Sequence, residues 1–218
     1  MLLMLSFYLL SMGTIQHKEN LISEHFLKLT KGKEAKFHGA GREDIDVLML
    51  GSGRQFVLEI KEPKIRNLDL AKLESEINEI NKGKTAYHNL KLCERPRKAQ
   101  IKQSSPDAYK VYNAIVKCGE AYDADKLEKL LELNEIHQQT PIRVLRRRTD
   151  MIRIKHVIDL SYEIIDDLTF SMQIKTEGGL YIKELISGDD GRSQPNVSEI
   201  LGVDAVCEQL DVIEVSEK

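Results

Sequence analysis

The sequence predicts an α+β fold, a mixed and largely antiparallel sheet flanked by helices, on three observations. Short strand-like apolar runs recur along the chain. Two stretches put their leucines and isoleucines on a single helical face. No strand–helix–strand repeat of the kind that builds a parallel sheet joins them. At 218 residues the chain is long enough for one sizeable core and short for two, so residues 21–218 are expected to form one domain.

Met1 to Met12 is uncharged and apolar, yet far short of the roughly 20 residues that a membrane-spanning helix requires. It has neither a basic region ahead of the apolar run nor a small-residue cleavage site, which argues against a secretory signal. Residues 1–20 are therefore set apart as an atypical apolar segment, with no membrane association expected. Ile45 to Leu50 and Phe56 to Ile60 read as two strands joined by a Gly51-Ser52-Gly53 turn, a hairpin with Asp44 at its mouth. Leu70, Leu73, Ile77 and Ile80 share a helical face that stops at Gly83. Tyr87 to Leu92 and Tyr109 to Val116 are strand-like, separated by a basic, proline-containing loop from Arg95 to Pro106. Asp125 is expected to cap a second helix, with Leu127, Leu130, Leu131 and Leu133 facing inward. Met151 to Asp159 alternates, and Leu168 to Ile174 is a strand that runs out at Gly178-Gly179. Short helices follow from Leu180 and from Asn196, and Ala205 to Val215 closes the chain as a strand.

Lys and Arg number 32 against 35 Asp and Glu, a net charge of −3, so total charge does not point to a nucleic-acid partner. Distribution does. From Lys82 to Lys102 there are seven basic residues and one acid, and from Arg143 to Lys155 six basic residues and one acid. Glu184 to Lys218 carries nine acids and two bases, so the acidity is segregated and can sit away from an RNA-facing surface. Cys93, Cys118 and Cys207 form no Cys-x-x-Cys pair. That argues against a disulfide framework and against a metal site, and points to a reducing, cytoplasmic compartment.

Four blocks of sequence carry the strongest signal. Lys36-Phe37-His38-Gly39-Ala40-Gly41-Arg42-Glu43-Asp44-Ile45-Asp46-Val47 runs almost at once into Gly51-Ser52-Gly53-Arg54-Gln55-Phe56-Val57-Leu58-Glu59-Ile60. Lys110 to Ile115, Thr140 to Arg148 and Gly179 to Asp189 follow in order. A Gly-Arg-acid-Asp loop leading into an apolar strand resembles the catalytic loop of the pseudouridine synthases. The four blocks together, from about Leu27 to the end, resemble one branch, the archaeal and eukaryotic tRNA pseudouridine synthase family numbered ten.

The resemblance implies the pseudouridine synthase fold, with a catalytic cleft across the sheet, and an isomerase acting on uridine in the T-arm of tRNA. That reaction breaks the C1′–N1 bond, turns the uracil within the site and rejoins it through C5. It needs no cofactor and no metal, but it does need an ionised carboxylate beside the sugar, as nucleophile at C1′ or as base for a sugar proton. Asp44 matches the family's catalytic aspartate, with Asp46 two residues on, on the same strand face, in a supporting place. Lys183 resembles the family's basic partner, whose charge would favour the ionised form. A flipped base loses its stacking and needs an aromatic or apolar surface in return. Tyr112, in a Lys-x-Tyr-x-Ala strand, matches the base-stacking tyrosine, while Tyr109 falls on the opposite face by alternation. Tyr181 is the second substrate-contacting residue, with Ile182 and Leu210 as apolar walls. Arg42 either meets the nucleotide or pairs with Glu43 or Glu59. Arg143, Arg146, Arg147, Arg148, Arg153 and Lys155 make up the RNA-backbone surface; three consecutive arginines cannot all face one way, so some of them structure the domain.

The chain also departs from the family. The large N-terminal half, with paired Cys-x-x-Cys ligands and an RNA-binding module, has no counterpart here, so the chain reads as the catalytic half alone. It is expected to be either a truncated reading frame or one piece of a split enzyme, so the expected partner is tRNA, joined in the split case by a separate chain carrying that half. Arg146 stands where histidine is usual, Gln55, Glu62 and Lys64 lie in an altered segment, and Leu48 replaces an arginine four positions from Asp44. Two function classes follow. Asp44, Tyr112, Tyr181 and Lys183 standing together favour the isomerase, and Leu48 favours an RNA-binding half without turnover.

Overall fold

The computed structural model describes residues 2–11, 18–41, 43–44, 46–104 and 109–216. The chain divides into two compact units, residues 1–106 with 212–218, and residues 107–211. This division differs from the sequence reading, which separated residues 1–20 from a single domain over 21–218.

The first unit is built around strands β1 (Leu2–Ser11), β2 (Glu34–Gly39), β3 (Leu48–Lys61) and β4 (Thr85–Leu92). β1 lies between β4 and β3, antiparallel to both, and β2 is antiparallel to β3. The apolar N-terminal run, expected to stand apart, is therefore a central strand. Its Leu3 and Leu5 face one cluster with Phe56, Leu58 and Ile60 of β3, closed by Ile22 and Phe26 of helix α1 (Lys18–Thr30) and Leu73 and Ile77 of helix α2 (Leu70–Ile80). Met4 and Val57 face the other way, onto Ile101 of helix α3 (Arg97–Ser104). At Leu3, Met4 and Leu5 both faces of β1 are covered, which is why the sequence there is apolar without alternation.

Three expectations fail in this unit for identifiable reasons. Gly51-Ser52-Gly53 does not reverse the chain, because residues 48–61 form one strand. Gly51 (φ +68°) and Gly53 (φ +75°) sit inside it, and a Cβ on Gly51 would collide with the backbone carbonyl of Ile213. The glycine permits close approach of a neighbouring backbone instead of a turn. The basic loop from Arg95 to Pro106 contains α3, whose first turn is anchored by the Pro96 carbonyl accepting from Ala99 (3.0 Å) and Gln100 (3.1 Å). Among the described side chains of α3 only Ile101 is buried, so the helix leaves no apolar period to read. α1 and β2 were not anticipated at all, although Ile22, Phe26 and Thr30 are buried at a spacing of four.

The second unit contains β5 (Tyr109–Cys118), β6 (Glu135–Gln139), β7 (Ile152–Asp166), β8 (Thr169–Glu177) and β9 (Ser193–Gln194), in the order β5-β8-β7-β6-β9 with antiparallel neighbours. Helices α4 (Ile182–Ser187) and α5 (Val197–Leu201) pack on each other. β10 (Ala205–Val215) begins where Gly119 donates to the Asp204 carbonyl (2.8 Å). One face of the sheet is the core: Tyr112 opposite Ile174, Ala114 opposite Met172 and Val116 opposite Phe170, all buried. The expected second helix is a 3-10 helix, Ala124–Glu132, capped by Asp123, not Asp125. At about three residues per turn, Leu127, Leu130 and Leu133 share the buried face while Leu131 moves off it to 48% exposure. β6 was not anticipated; the strands over β7, β8 and β10 and the short helices α4 and α5 lie where expected.

Candidate active site

Asp44 lies in the connection between β2 and β3. β3 ties this connection down from several points. The amide of Ala40 donates to the Gln55 carbonyl (3.0 Å), and Arg54 Nη2 donates to Glu43 Oε1 (2.7 Å), with both side chains only 13% exposed. Val47 N–H donates to the Asp44 carbonyl (3.2 Å), a turn that finishes just before Leu48. Asp44 thus follows directly on a residue held by a part-buried ion pair. Asp46 sits in the turn ahead of β3 and is exposed, so it does not share a strand face with Asp44 as expected. Arg42 lies outside the described residues; Glu43, one of its expected partners, is held by Arg54.

On β3, Glu59 is buried, accepts from Lys98 Nζ of α3 (3.1 Å) and pairs with His38 Nε2 of β2 (2.9 Å). Burial favours its neutral form, but the hydrogen bonds from Lys98 and His38 outweigh that and hold the carboxyl below its ordinary value. A carboxyl with a lowered folded-state pKa stabilises above its unfolded value, near 4.5, and that contribution is lost as pH falls through the folded value. Glu59→Gln should therefore flatten the acid limb. Between about pH 6 and about pH 3 the urea midpoint of the variant should fall less than that of the parent. Parallel curves would show that this carboxylate contributes nothing to acid sensitivity.

In the second unit Tyr181 and Lys183 occupy the start of α4, Tyr181 as its N-cap residue. The buried amide of Gln138, on β6, accepts from Tyr181 N–H (2.8 Å) and donates both to the Tyr181 carbonyl (3.0 Å) and to Ser193 Oγ (2.9 Å). Arg143 grips Glu184 through Nε (2.5 Å) and Nη2 (3.3 Å), and its guanidinium carbon lies 5.8 Å from the centre of the Tyr181 ring. Arg192 donates to the Thr140 carbonyl and to Asp150 (2.5 Å). Arg153 donates to Thr140 Oγ1 (2.8 Å). These bonds bring β6, the Thr140–Arg148 segment and α4 into one network.

The sequence-derived residues distribute as follows. Asp44 belongs to the first unit, and Tyr112, Tyr181, Ile182, Lys183, Leu210 and the basic cluster to the second. Tyr112 is 3% exposed on the core face of β5, and Ile182 and Leu210 are also buried. Tyr109 lies on the other face with Lys175 Nζ 4.1 Å from its ring centre. Tyr181 and Lys183 are half-buried. Arg146, Arg147 and Arg148 are exposed in the turns after Val144, whereas Arg143 and Arg153 bond to protein groups and Lys155 lies along Gly179. Arg54, Gln138 and Glu184 were missed. Arg54 lies in the Gly51–Ile60 motif, but its partner is eleven residues away and not legible from sequence, and a neutral amide in a short strand carries no sequence signal. Among the described residues no group of three or more His, Cys, Asp or Glu side chains could hold a metal, and no helix is long and apolar enough to cross a membrane.

A Cbf5–Nop10–Gar1 complex aligns with 97% of this chain, and with 48% of its own matching chain, at a TM-score of 0.59 and 15% identity. An H/ACA ribonucleoprotein bound to a substrate RNA containing 2′-deoxyuridine aligns with 95% of this chain and 46% of its own at a TM-score of 0.54 and 14% identity. Such likeness at low identity shows a shared fold, and the sequence relatives that follow, named as tRNA pseudouridine synthases, give that fold its class. The particular family follows from sequence. The chain belongs to the Pus10 family: the model described as "Pus10, C-terminal" matches residues 11–216. The proteins named tRNA pseudouridine synthase Pus10 from Methanothermobacter marburgensis and Methanocaldococcus jannaschii are 54% identical over 91% of this chain and 50% identical over 90% of it. The chain spans about half the length of these curated relatives, 49% and 43% respectively.

Proposed function

We propose that this chain carries the isomerisation of uridine to pseudouridine in the T-arm of tRNA. In this reading Asp44 is the carboxylate that acts at the sugar, Lys183 the basic residue of the reaction, and the half-buried Tyr181 the surface for the displaced base. Tyr112, expected as the stacking tyrosine, is 3% exposed on the core face of β5 and presents no open surface in this state. One observation carries it: the chain is 54% identical, over 91% of its length, to a relative named as a tRNA pseudouridine synthase. The Asp44 connection, pinned to β3 through Arg54 and Gln55, supports the same reading, because a carboxylate that must meet one sugar atom requires a fixed backbone. The test is incubation of the chain with an unmodified tRNA transcript, followed by chemical mapping of pseudouridine. The expected product is a converted T-arm uridine. Binding without conversion, even when the remaining half of a relative is supplied in trans, would sink the reading in favour of an RNA-binding half without turnover.

The exposed Arg146, Arg147 and Arg148 are proposed to meet phosphates, and this has a thermodynamic signature. If about four phosphates are engaged, the logarithm of tRNA affinity falls with the logarithm of salt at a slope of about −3 to −4. Replacing all three arginines by glutamine should make that slope shallower by roughly 2. A slope that does not change would place the phosphate contacts elsewhere.

A further inference from the structure

Gln138 is a neutral side chain buried in the middle of a strand, and its three side-chain hydrogen bonds are directed at two residues of other elements. Two of them bracket the backbone of Tyr181 as a paired strand would, one to its N–H and one to its carbonyl. The Tyr181 carbonyl also accepts from the Leu185 amide (3.0 Å), the first backbone bond of α4. With its N–H and its carbonyl both engaged, the φ and ψ of Tyr181 (−92° and 104°) are held, and with them the direction of its Cα–Cβ bond. Arg143 restrains what lies beyond that bond. Its guanidinium is fixed in a fork on Glu184, whose carboxylate is buried, and it stands within cation–π range of the ring. The ring of Tyr181 is thus addressed from both ends, although the residue is itself only half-buried.

We infer that Gln138, Arg143 and Glu184 are positioning residues that preset the Tyr181 ring for the substrate base. The inference rests on the reading of Tyr181 as a substrate contact. It also gives Arg143 a role separate from that of its neighbours: Arg146, Arg147 and Arg148 face solvent, while two N–H groups of Arg143 are committed to Glu184. A stacking surface already in place removes the need to order it when the base arrives, so its loss appears in the rate at saturating tRNA and not in tRNA affinity.

The test uses the full chain labelled with 3-fluorotyrosine, with the Tyr181 signal assigned by Tyr181→Phe. Arg143→Lys keeps the charge and loses the fork; Gln138→Met keeps the volume and loses both backbone bonds. In each variant the Tyr181 fluorine signal should move toward that of free 3-fluorotyrosine while the other tyrosine signals stay in place. Thermal melting of both variants separates this shift from unfolding. The single-turnover rate of pseudouridine formation on an unmodified tRNA transcript should fall about tenfold with tRNA affinity within about twofold of the parent. The same substitutions should cause no further loss in a Tyr181→Ala background. An unmoved Tyr181 signal in both variants overturns the inference, and so does a full additional loss on top of Tyr181→Ala. If Tyr181→Ala is slow but Arg143→Lys and Gln138→Met turn over at the parent rate, the positioning role alone fails. If Tyr181→Ala itself turns over at the parent rate, the underlying substrate reading fails. The fluorine signal is readable with or without turnover.

Discussion

Asp44→Asn is expected to remove pseudouridine formation, by roughly a thousandfold or more, while tRNA affinity and the folded state change little. The substitution keeps the shape of the side chain and deletes only the charge that the proposed sugar chemistry requires. The connection that carries it is held by Arg54, Glu43, Gln55 and the amides of Ala40 and Val47, groups that the substitution leaves in place. Chemical mapping of pseudouridine after incubation with the variant gives the answer. Turnover near that of the parent would take Asp44 out of the mechanism, and an equal loss from Asp46→Asn would spread the role over both acids. The exposed position of Asp46 in the turn before β3 leads to a much smaller effect from that second variant.

Leu5→Ala should cost about 2–5 kcal/mol of stability, a large share of what a domain of this size has in hand. Leu5 is fully buried, and on β1 it is opposite Leu58 of β3 on one side and Leu92 of β4 on the other. Truncation would leave a cavity between two strands and the helices α1 and α2. Ile80→Ala serves as the comparison, since Ile80 is 66% exposed and its loss should stay within about 0.5 kcal/mol. Urea unfolding of both variants decides the matter: a Leu5→Ala change as small as that of Ile80→Ala would mean that the N-terminal run is not a working part of the first unit. The family match begins at residue 11, so this strand is the element on which family membership is silent.

Elements whose exposed and buried faces alternate were legible in the sequence. β7, β8 and β10 and the amphipathic α2 announce themselves by period, because water on one side imposes polar residues there. β1 was illegible for the converse reason. An apolar run covered on both faces has the same composition whether it is an appendage or a central strand, and α3, which covers one of those faces, contributes a single buried residue. A 3.6-residue period puts Leu131 inside, but residues 124–132 wind as a 3-10 helix, and at three residues per turn Leu131 leaves the buried face. Gly51-Ser52-Gly53 has the composition of a turn, and only the approach of the Ile213 backbone, some 160 residues later, shows what those glycines accommodate.

The chemistry divides along the same line. Sequence alone determined the α+β class, the four motif blocks and the residue types on offer, including Asp44 at the entry to an apolar strand and Tyr181 and Lys183 at the start of a short helix. It could not distribute work among identical side chains. Arg143 and Arg146 stand three residues apart and look alike, yet one is locked onto Glu184 beside Tyr181 and the other faces water. Arg54 holds Glu43, the acid next to Asp44, and Gln138 finds Tyr181 across 43 residues of chain. Local periodicity records only which face of an element meets solvent. The partner of a given charge or amide depends on which strands the topology sets side by side, and that information exists only once the sheet has formed.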